Sequence, residues 1–501
     1  MSATDLIRAG APQPCQPWPR HLLSTEAWGA MAAALASTPE LELLALWADP
    51  AAVHALFHET GDDAFLLAST AVDAGWYAAL SPARPVAAWF ERMIHDLWGH
   101  SAANGLDSRA WLDHGAWSET APLSSRPAGN LGAAEPPEFL PAEGEGLHQL
   151  AVGPVHAGVI EPGHFRFHLQ GEVVVRLEIR LGYVHKGTLG LMRGKSPRAA
   201  ARFAARLSGD STVAHSIAFA HAAEAASFAE APPRARALRA VMGEVERMAN
   251  HLGDIGGISN DASFAFLSAR YGWHREAMLR AASAAFGHRL MMDCVVPGGV
   301  AVDISPEGAA AILAALAPLE RELPNLLRIY DDYSSLADRL VGTGIVPPAR
   351  AATFAAGGFV GRASGRALDT RRTPGYAPYD ALDFTVPVLD EGDVDARVRL
   401  RGLELAESIK LLRALLASLP DGPLTVALPM TSGEGLGWAE GFRGDIWHWL
   451  RLDGGQIASA FMRDPSWLQW PLLQGAVYGN IIADFPLCNK SFNCSYSGVD
   501  L

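Results

Sequence analysis

The sequence predicts an α+β chain that is mostly α: a small N-terminal α/β domain, a linker, and a large helical domain with a β-hairpin near its start. Three observations predict this. Alanine-rich runs such as AARFAARL and RAASAAFG favour helix. Several long segments repeat apolar residues at the three- and four-residue spacing of one helical face. One segment, EVVVRLEIRLGYV, alternates as a half-buried strand does.

Residues 1–118 alternate helix-like and short apolar segments. The strongest helix is PVAAWFERMIHDLWGH, where Trp89, Phe90, Met93, Ile94, Leu97 and Trp98 share a buried face. The polar, Pro- and Gly-rich residues that follow, 119–146, read as a linker or an extension draped over a partner. The second domain spans 147–501. FRFHL and EVVVRLEIRLGYV flank Gln170-Gly171 as a hairpin. Its alternation puts Val173, Val175, Leu177, Ile179 and Leu181 on one face, and Arg176, Glu178 and Arg180 on the other. Helices dominate from there to about residue 340. RALRAVMGEVERMANHLGDIGG carries an apolar stripe of Val241, Val245, Met248, Leu252 and Ile255 and is expected to stop at Gly256-Gly257. SPEGAAAILAALAPLERELPNLLRIYDDY opens with Ser305 as N-cap and Pro306 at the first helical position. Residues 345–400, rich in Gly, Pro and Arg, read as loops with short strands, and a helix follows over roughly 402–418.

Composition excludes several functions. A formal net charge of -14 argues against a nucleic-acid binder. The four cysteines, Cys15, Cys294, Cys488 and Cys494, and an N-terminus without an apolar signal segment point to a reduced, cytoplasmic setting. No run approaches the roughly 20 apolar residues of a membrane span, so a membrane role would run through partners. No GxGxxG follows a strand and no GxxxxGK[ST] occurs, which argues against direct nucleotide binding by such loops.

Four stretches remain as candidate sites. GPVHAGVIEPGHFRF holds His156, Glu161 and His164 within nine positions, either a structurally bonded loop or a proton-handling one. RLSGDSTVAHS offers Asp210 or Ser211 as cap of a helix carrying His215, His221 and Glu224. In ERMANHL, the pairs Glu246/Asn250 and Arg247/His251 are four apart, as surface pairs are. Cys488 and Cys494, separated by five residues, match no common zinc or redox spacing, so no metal site is expected.

Together these motifs resemble one family. GPVHAGVIEPGHFRF with GEVVVRLEIRLGYVHKG, then LRAVMGEVERMANHLGDIGG, EGLGWAEGFRGDIWHWL and ADFPLCNKSFNCSYSG follow the order of the large subunit of formate-hydrogenlyase-type membrane-bound nickel–iron hydrogenases. The same motifs are similar, more distantly, to the quinone-site 49 kDa subunit of respiratory complex I. Upstream, ERMIHDLWGH and DSRAWLDHGAW resemble the complex I 30 kDa subunit.

The resemblance implies four cysteine ligands in RxCGxC and DPCxxC patterns. Here the first reads Arg206-Leu207-Ser208-Gly209-Asp210-Ser211. An ungapped reading of the second puts Ser495 and Gly498 at the thiol positions and Cys494 at the proline position. Nickel and iron in such a centre need soft thiolates, which hydroxyl groups and glycine do not replace. No nickel–iron centre and no iron–sulfur cluster are therefore expected in this chain. The implied role is a subunit of an NADH:quinone oxidoreductase-like complex, peripheral on the inner face of the cell membrane. Its partners would be an iron–sulfur small subunit and antiporter-like membrane subunits. Its pocket would be quinone-type or proton-coupling, lined by His156, Glu161, Ser208, Asp210, Ser211, Ser495 and Asp500. His164 and His215 would donate protons or hydrogen bonds, Arg443 would stabilise a reduced ligand, and Asp210 and Glu161 would orient the histidines. The complex I quinone tyrosine does not carry over, since Ser208 or Gly209 falls near its place. Two rivals stand beside this expectation: a genuine nickel–iron hydrogenase, and a non-redox scaffold coupling an antiporter-like partner.

Overall fold

The computed structural model describes residues 1–129, 132, 136–157 and 160–501. The middle of the expected linker and two residues of the histidine loop thus lie outside the described residues. The N-terminal domain is built on β1 (Ala11–Gln13), β2 (Arg20–Leu23), β3 (Leu41–Ala48), β4 (Ala52–Glu59) and β5 (Ala64–Ala71), with helix α1 (Thr25–Ala34) between β2 and β3. The sheet order is β1-β2-β5-β4-β3, with β2 and β5 parallel and every other pair antiparallel. Helix α2 (Ala87–Trp98) buries the face read from the sequence and ends at Gly99 in the left-handed region. Strand β3, LELLALWA, is buried at every residue. Elements of the second domain cover it: Trp47 stacks on Phe461 at 5.3 Å.

The expected hairpin is present within a three-stranded antiparallel sheet of β6 (Leu147–Val152), β7 (His164–Gln170) and β8 (Val173–Arg180). Its alternation is not the one the sequence suggests. A bulge lets Leu169 pair with Val174 while His168 pairs with Arg176, leaving Val175 without a partner. Val174 is therefore buried while Val173 and Val175 are exposed, and the inward face resumes at Leu177 and Ile179.

Six helices form the body of the second domain: α3 (Pro197–Ala204), α4 (Thr212–Ala226), α5 (Pro233–Asp261), α6 (Ala265–Phe286), α7 (Pro306–Asp332) and α8 (Val394–Ala417). Ser305 caps α7 as expected, accepting from Gly308 N. Helix α5 runs through Gly256-Gly257 instead of stopping there, because Gly256 faces the backbone of α6 around Ser268 and Gly272. Residues 345–393 hold short helices and turns, with no strand among the described residues. Their arginines are not loop solvation: Arg362 and Arg371 lie buried in ion pairs with Glu404, Glu440, Asp369 and Glu244. Helix α8 starts earlier than its apolar pattern suggests, with Asp393 as its cap.

The arginine-bearing stretch EGLGWAEGFRGDIWHWL is a hairpin of β9 (Gly433–Gly441) and β10 (Gly444–Asp453), extended by β11 (Gln456–Arg463), with Arg443 in the turn. Its glycines let α4 lie directly on the sheet. A Cβ at Gly435 or Gly437 would come within 2.3 Å or 2.2 Å of the α4 backbone at Ala222. Helix α9 (Ser466–Ala476) packs on β8, and helix α10 (Phe485–Phe492) on α5 and α8.

Candidate functional site

The turn between α3 and α4, the β9–β10 turn, the residues after β11 and the C-terminal tail meet at one point. The Oγ atoms of Ser208 and Ser495 lie 2.8 Å apart. Ser208 donates to Asp210 Oδ1 at 2.9 Å, so Ser495 is the donor in the serine pair; its Oγ in turn accepts from Gly498 N at 3.0 Å. Arg443 clamps the same turn. Its Nη1 donates to Asp210 Oδ1 at 2.7 Å and to Ser211 Oγ at 3.0 Å, and its Nε donates to the carbonyl of Asn493 in the tail. Asp210 is the exposed member of the pair, with 41% of its side chain accessible against 3% for Arg443.

Below this surface lies a fully buried row of polar groups. Asp464 Oδ2 is 3.0 Å from His215 Nε2, and His215 Nδ1 is 3.0 Å from His448 Nε2. The carboxylate places a proton on His215 Nε2, and His215 Nδ1 and His448 Nε2 share the second hydrogen bond. Burial opposes the charge on Asp464, but the bond and charge of His215 and the charge of Arg443 outweigh it, bringing the carboxyl to about 2. Burial, reinforced by His215, drives His448 well below the ordinary histidine value and leaves it neutral. Gly498 packs directly on Asp464, where a Cβ would sit 2.7 Å from the carboxyl carbon.

Neither Asp210 nor Ser211 caps α4 through its side chain. Glu246 of α5 does so from outside, accepting Val213 N at 2.7 Å and Ala214 N at 3.0 Å. Burial raises the Glu246 carboxyl to about 8, Asp210 adds to the rise, and the two amide bonds oppose it. The ERMANHL residues are thus not surface pairs. Arg247 donates to the carbonyls of Gly441 and Glu440, and His251 meets Glu404 at 2.7 Å. A cavity of about 160 Å³, lined by Gly209, Asp210, Glu246 and Asn250, opens beside the cluster.

The expected site residues divide. Ser208, Asp210, Ser211, Ser495, Arg443 and, through Asp464, His215 are brought together. Glu161 reaches the tail, where its Oε2 accepts Ser497 N at 2.9 Å, and His156 Nε2 lies 3.2 Å from Tyr496 Oη. Asp500 clamps the tail to the hairpin by accepting Gly182 N and Val184 N, and burial pushes its carboxyl to about 7. His164 is not part of the cluster. Strand alternation sends Phe165 toward Tyr496, while His164 contacts the Gly153 carbonyl at 3.4 Å and the Phe139 ring. The expected orienting carboxylates also differ: Asp464, not Asp210 or Glu161, bonds His215. Asp464, His448 and Glu246 were not singled out for these places. A signal existed in WHWL, where one histidine interrupts an apolar strand and so requires a buried partner.

A nickel–iron centre requires thiolates, and the four positions named by the motif comparison hold three hydroxyls and a glycine. The neighbouring Cys494 is buried, and burial pushes its thiol far up. Among the described residues no group of three or more histidine, cysteine or carboxylate side chains is placed to hold a metal ion. Among the described residues no helix is long and apolar enough to cross a membrane.

Comparison with known proteins agrees with this architecture. Residues 266–434 match the family of the respiratory-chain NADH dehydrogenase 49 kDa subunit. The chain is 30% identical over 350 residues to the carbon monoxide-induced hydrogenase of Rhodospirillum rubrum, covering 69% of this chain and 97% of that protein. It is 29% identical to formate hydrogenlyase subunit 5 of Escherichia coli K12, over 90% of this chain and 82% of the relative. It shares the fold of a chain from the membrane-bound sulfane sulfur reductase, an archaeal respiratory membrane complex, with a TM-score of 0.67 at 24% identity over 71% of this chain and 99% of the other. With that identity carried across nearly the whole of a hydrogenase relative, the chain belongs to the family that joins the complex I 49 kDa subunit to the large subunits of membrane-bound hydrogenases.

Proposed function

We propose that this chain is the subunit of a membrane-associated, complex-I-like oxidoreductase that works without a nickel–iron centre, and that its former metal cradle now couples proton movement to electron transfer in partner subunits. One observation carries the reading: Ser208 and Ser495 are hydrogen-bonded to each other at 2.8 Å, and Gly498 lies against Asp464 with no room for a side chain. Sulfur ligands are missing and the space they would need is filled.

The surrounding groups suit proton handling. Glu246 is held protonated near neutral pH and borders the cavity at Asp210, while Asp464 stays ionised beneath Arg443. Two carboxyls with widely separated affinities for a proton, in one site, are the pattern of a donor and an acceptor. A quinone-type ligand would supply a two-electron, two-proton acceptor, with electrons arriving from an iron–sulfur partner. Of this chain's groups, Asp210 and Glu246 face the cavity where such a headgroup could approach. His215 cannot contact it, because both of its ring nitrogens are engaged internally.

Metal analysis of the purified complex tests the reading. Nickel well below one atom per chain and no hydrogen evolution are expected; about one nickel per chain would overturn it. A complex that co-purifies without any iron–sulfur subunit would favour the non-redox scaffold instead.

A further inference from the structure

Away from the cradle, one stretch of the surface offers free backbone beside an apolar groove. Residues 424–426 run along the hairpin of Val295–Val296 and Gly299–Val300 and form an edge of that small sheet. Residues 425–430, together with Ser196, Pro197 and Arg198 at the start of α3, line a groove of about 500 Å³. We propose that this groove docks an extended segment of a partner polypeptide, which pairs with the backbone at Thr425 and Ala427, sets an apolar side chain against Pro197 and Met430, and places an acidic side chain at Arg198.

Pairing geometry decides which backbone groups are free. The Leu424 carbonyl accepts from Val300 N at 3.0 Å, and Val426 N donates to the Gly298 carbonyl at 2.9 Å. Thr425, between them, therefore turns its own N–H and C=O away from the hairpin. Among the described residues neither Thr425 nor Ala427 has a backbone hydrogen bond, and both are exposed. Donor and acceptor pairs two residues apart are what an added strand reads. Pro423 and Pro429 bound the edge and limit that strand to about five residues.

Edges of this kind are commonly guarded by charge. Here no charged residue occurs between Asp421 and Glu434, and Val426 and Met430 are 37% and 81% exposed. Phe228, next in the chain to the lining residue Ser227, adds a ring that is 65% exposed.

Charge then selects the occupant. No carboxylate lines the groove, and the exposed side chain of Arg198 has no ion pair or hydrogen bond among the described residues. Lys195 and Arg202 flank it in sequence, and no acidic residue occurs between Glu178 and Asp210, although the whole chain carries -14. An acidic segment is attracted to this stretch and a basic one is repelled.

The test uses the purified complex with Met430 replaced by the photo-reactive residue p-benzoylphenylalanine. Irradiation should link it to one short segment of another subunit, and mass spectrometry of the product should place Asp or Glu beside an apolar side chain there. Ala427→Pro, which removes an N–H that the fold does not use, should lower the yield about fivefold or more. Arg198→Glu should lower it about threefold or more. Arg328→Gln, in an exposed pair with Asp332, should leave it unchanged. If Ala427→Pro fails to assemble, Arg198→Glu decides. A product with a second copy of this chain, with a basic segment or with lipid, no product at all, or a yield that both groove substitutions leave intact would overturn the proposal.

Discussion

At positions 208, 211, 495 and 498 three hydroxyls and a glycine govern the local chemistry. The hydroxyls bond to one another and to Asp210 and Arg443, and the glycine admits Asp464 beneath the tail. Asp464 is then the residue on which the buried row depends. Asp464→Ala should reduce the unfolding free energy by about 3–5 kcal/mol, the usual result of stripping one partner from a buried charged set. Denaturant unfolding measures it, and a loss below about 1 kcal/mol would contradict the assigned role. Glu246 gives a pH-dependent counterpart. Its folded value of about 8 lies above the ordinary 4.5, so between those values the folded state holds a proton that the unfolded chain has released. Stability from this group therefore falls as pH rises from about 4.5 to about 8. Glu246→Gln should show a shallower decline in denaturation midpoint between pH 5 and 8 than the wild type, and parallel curves would refute the assignment.

Among the elements, β8 shows how a single unpaired residue rearranges a face. The bulge at Val175 lets Val174 and Leu177 both point inward, although simple alternation would set Val175 inside with Leu177. Val174 is 1% exposed and Val175 39%. Val174→Asp should therefore cost about 3 kcal/mol or more, and Val175→Asp less than about 0.5 kcal/mol. The reverse ranking in thermal unfolding would restore the unbulged register.

For the whole molecule, the linker does not separate independent bodies. Phe90 stacks on Trp467 at 4.7 Å, Arg20 pairs with Glu434, and Arg366 pairs with Glu42, so the first sheet and the last share one core. A single calorimetric unfolding transition is expected. Residues 1–118 expressed alone should be poorly soluble, because their buried aromatic face would meet water. Two well-resolved transitions would show that the domains fold separately.

Sequence alone determined the helices whose apolar stripes are long and capped, such as the one begun by Ser305 and Pro306, and the sheet-rich N-terminal region ahead of a larger helical part. These are local or compositional properties, readable without knowing what lies across the fold. It did not determine the bulge at Val175, the capping of α4 by Glu246, or the row from Asp464 through His215 to His448. Each depends on atoms more than thirty positions apart, or on a register that a two-residue period cannot encode. Tertiary structure alone brought Ser208 to Ser495 across 287 positions, because only the folded chain lays the C-terminal tail on the turn before α4.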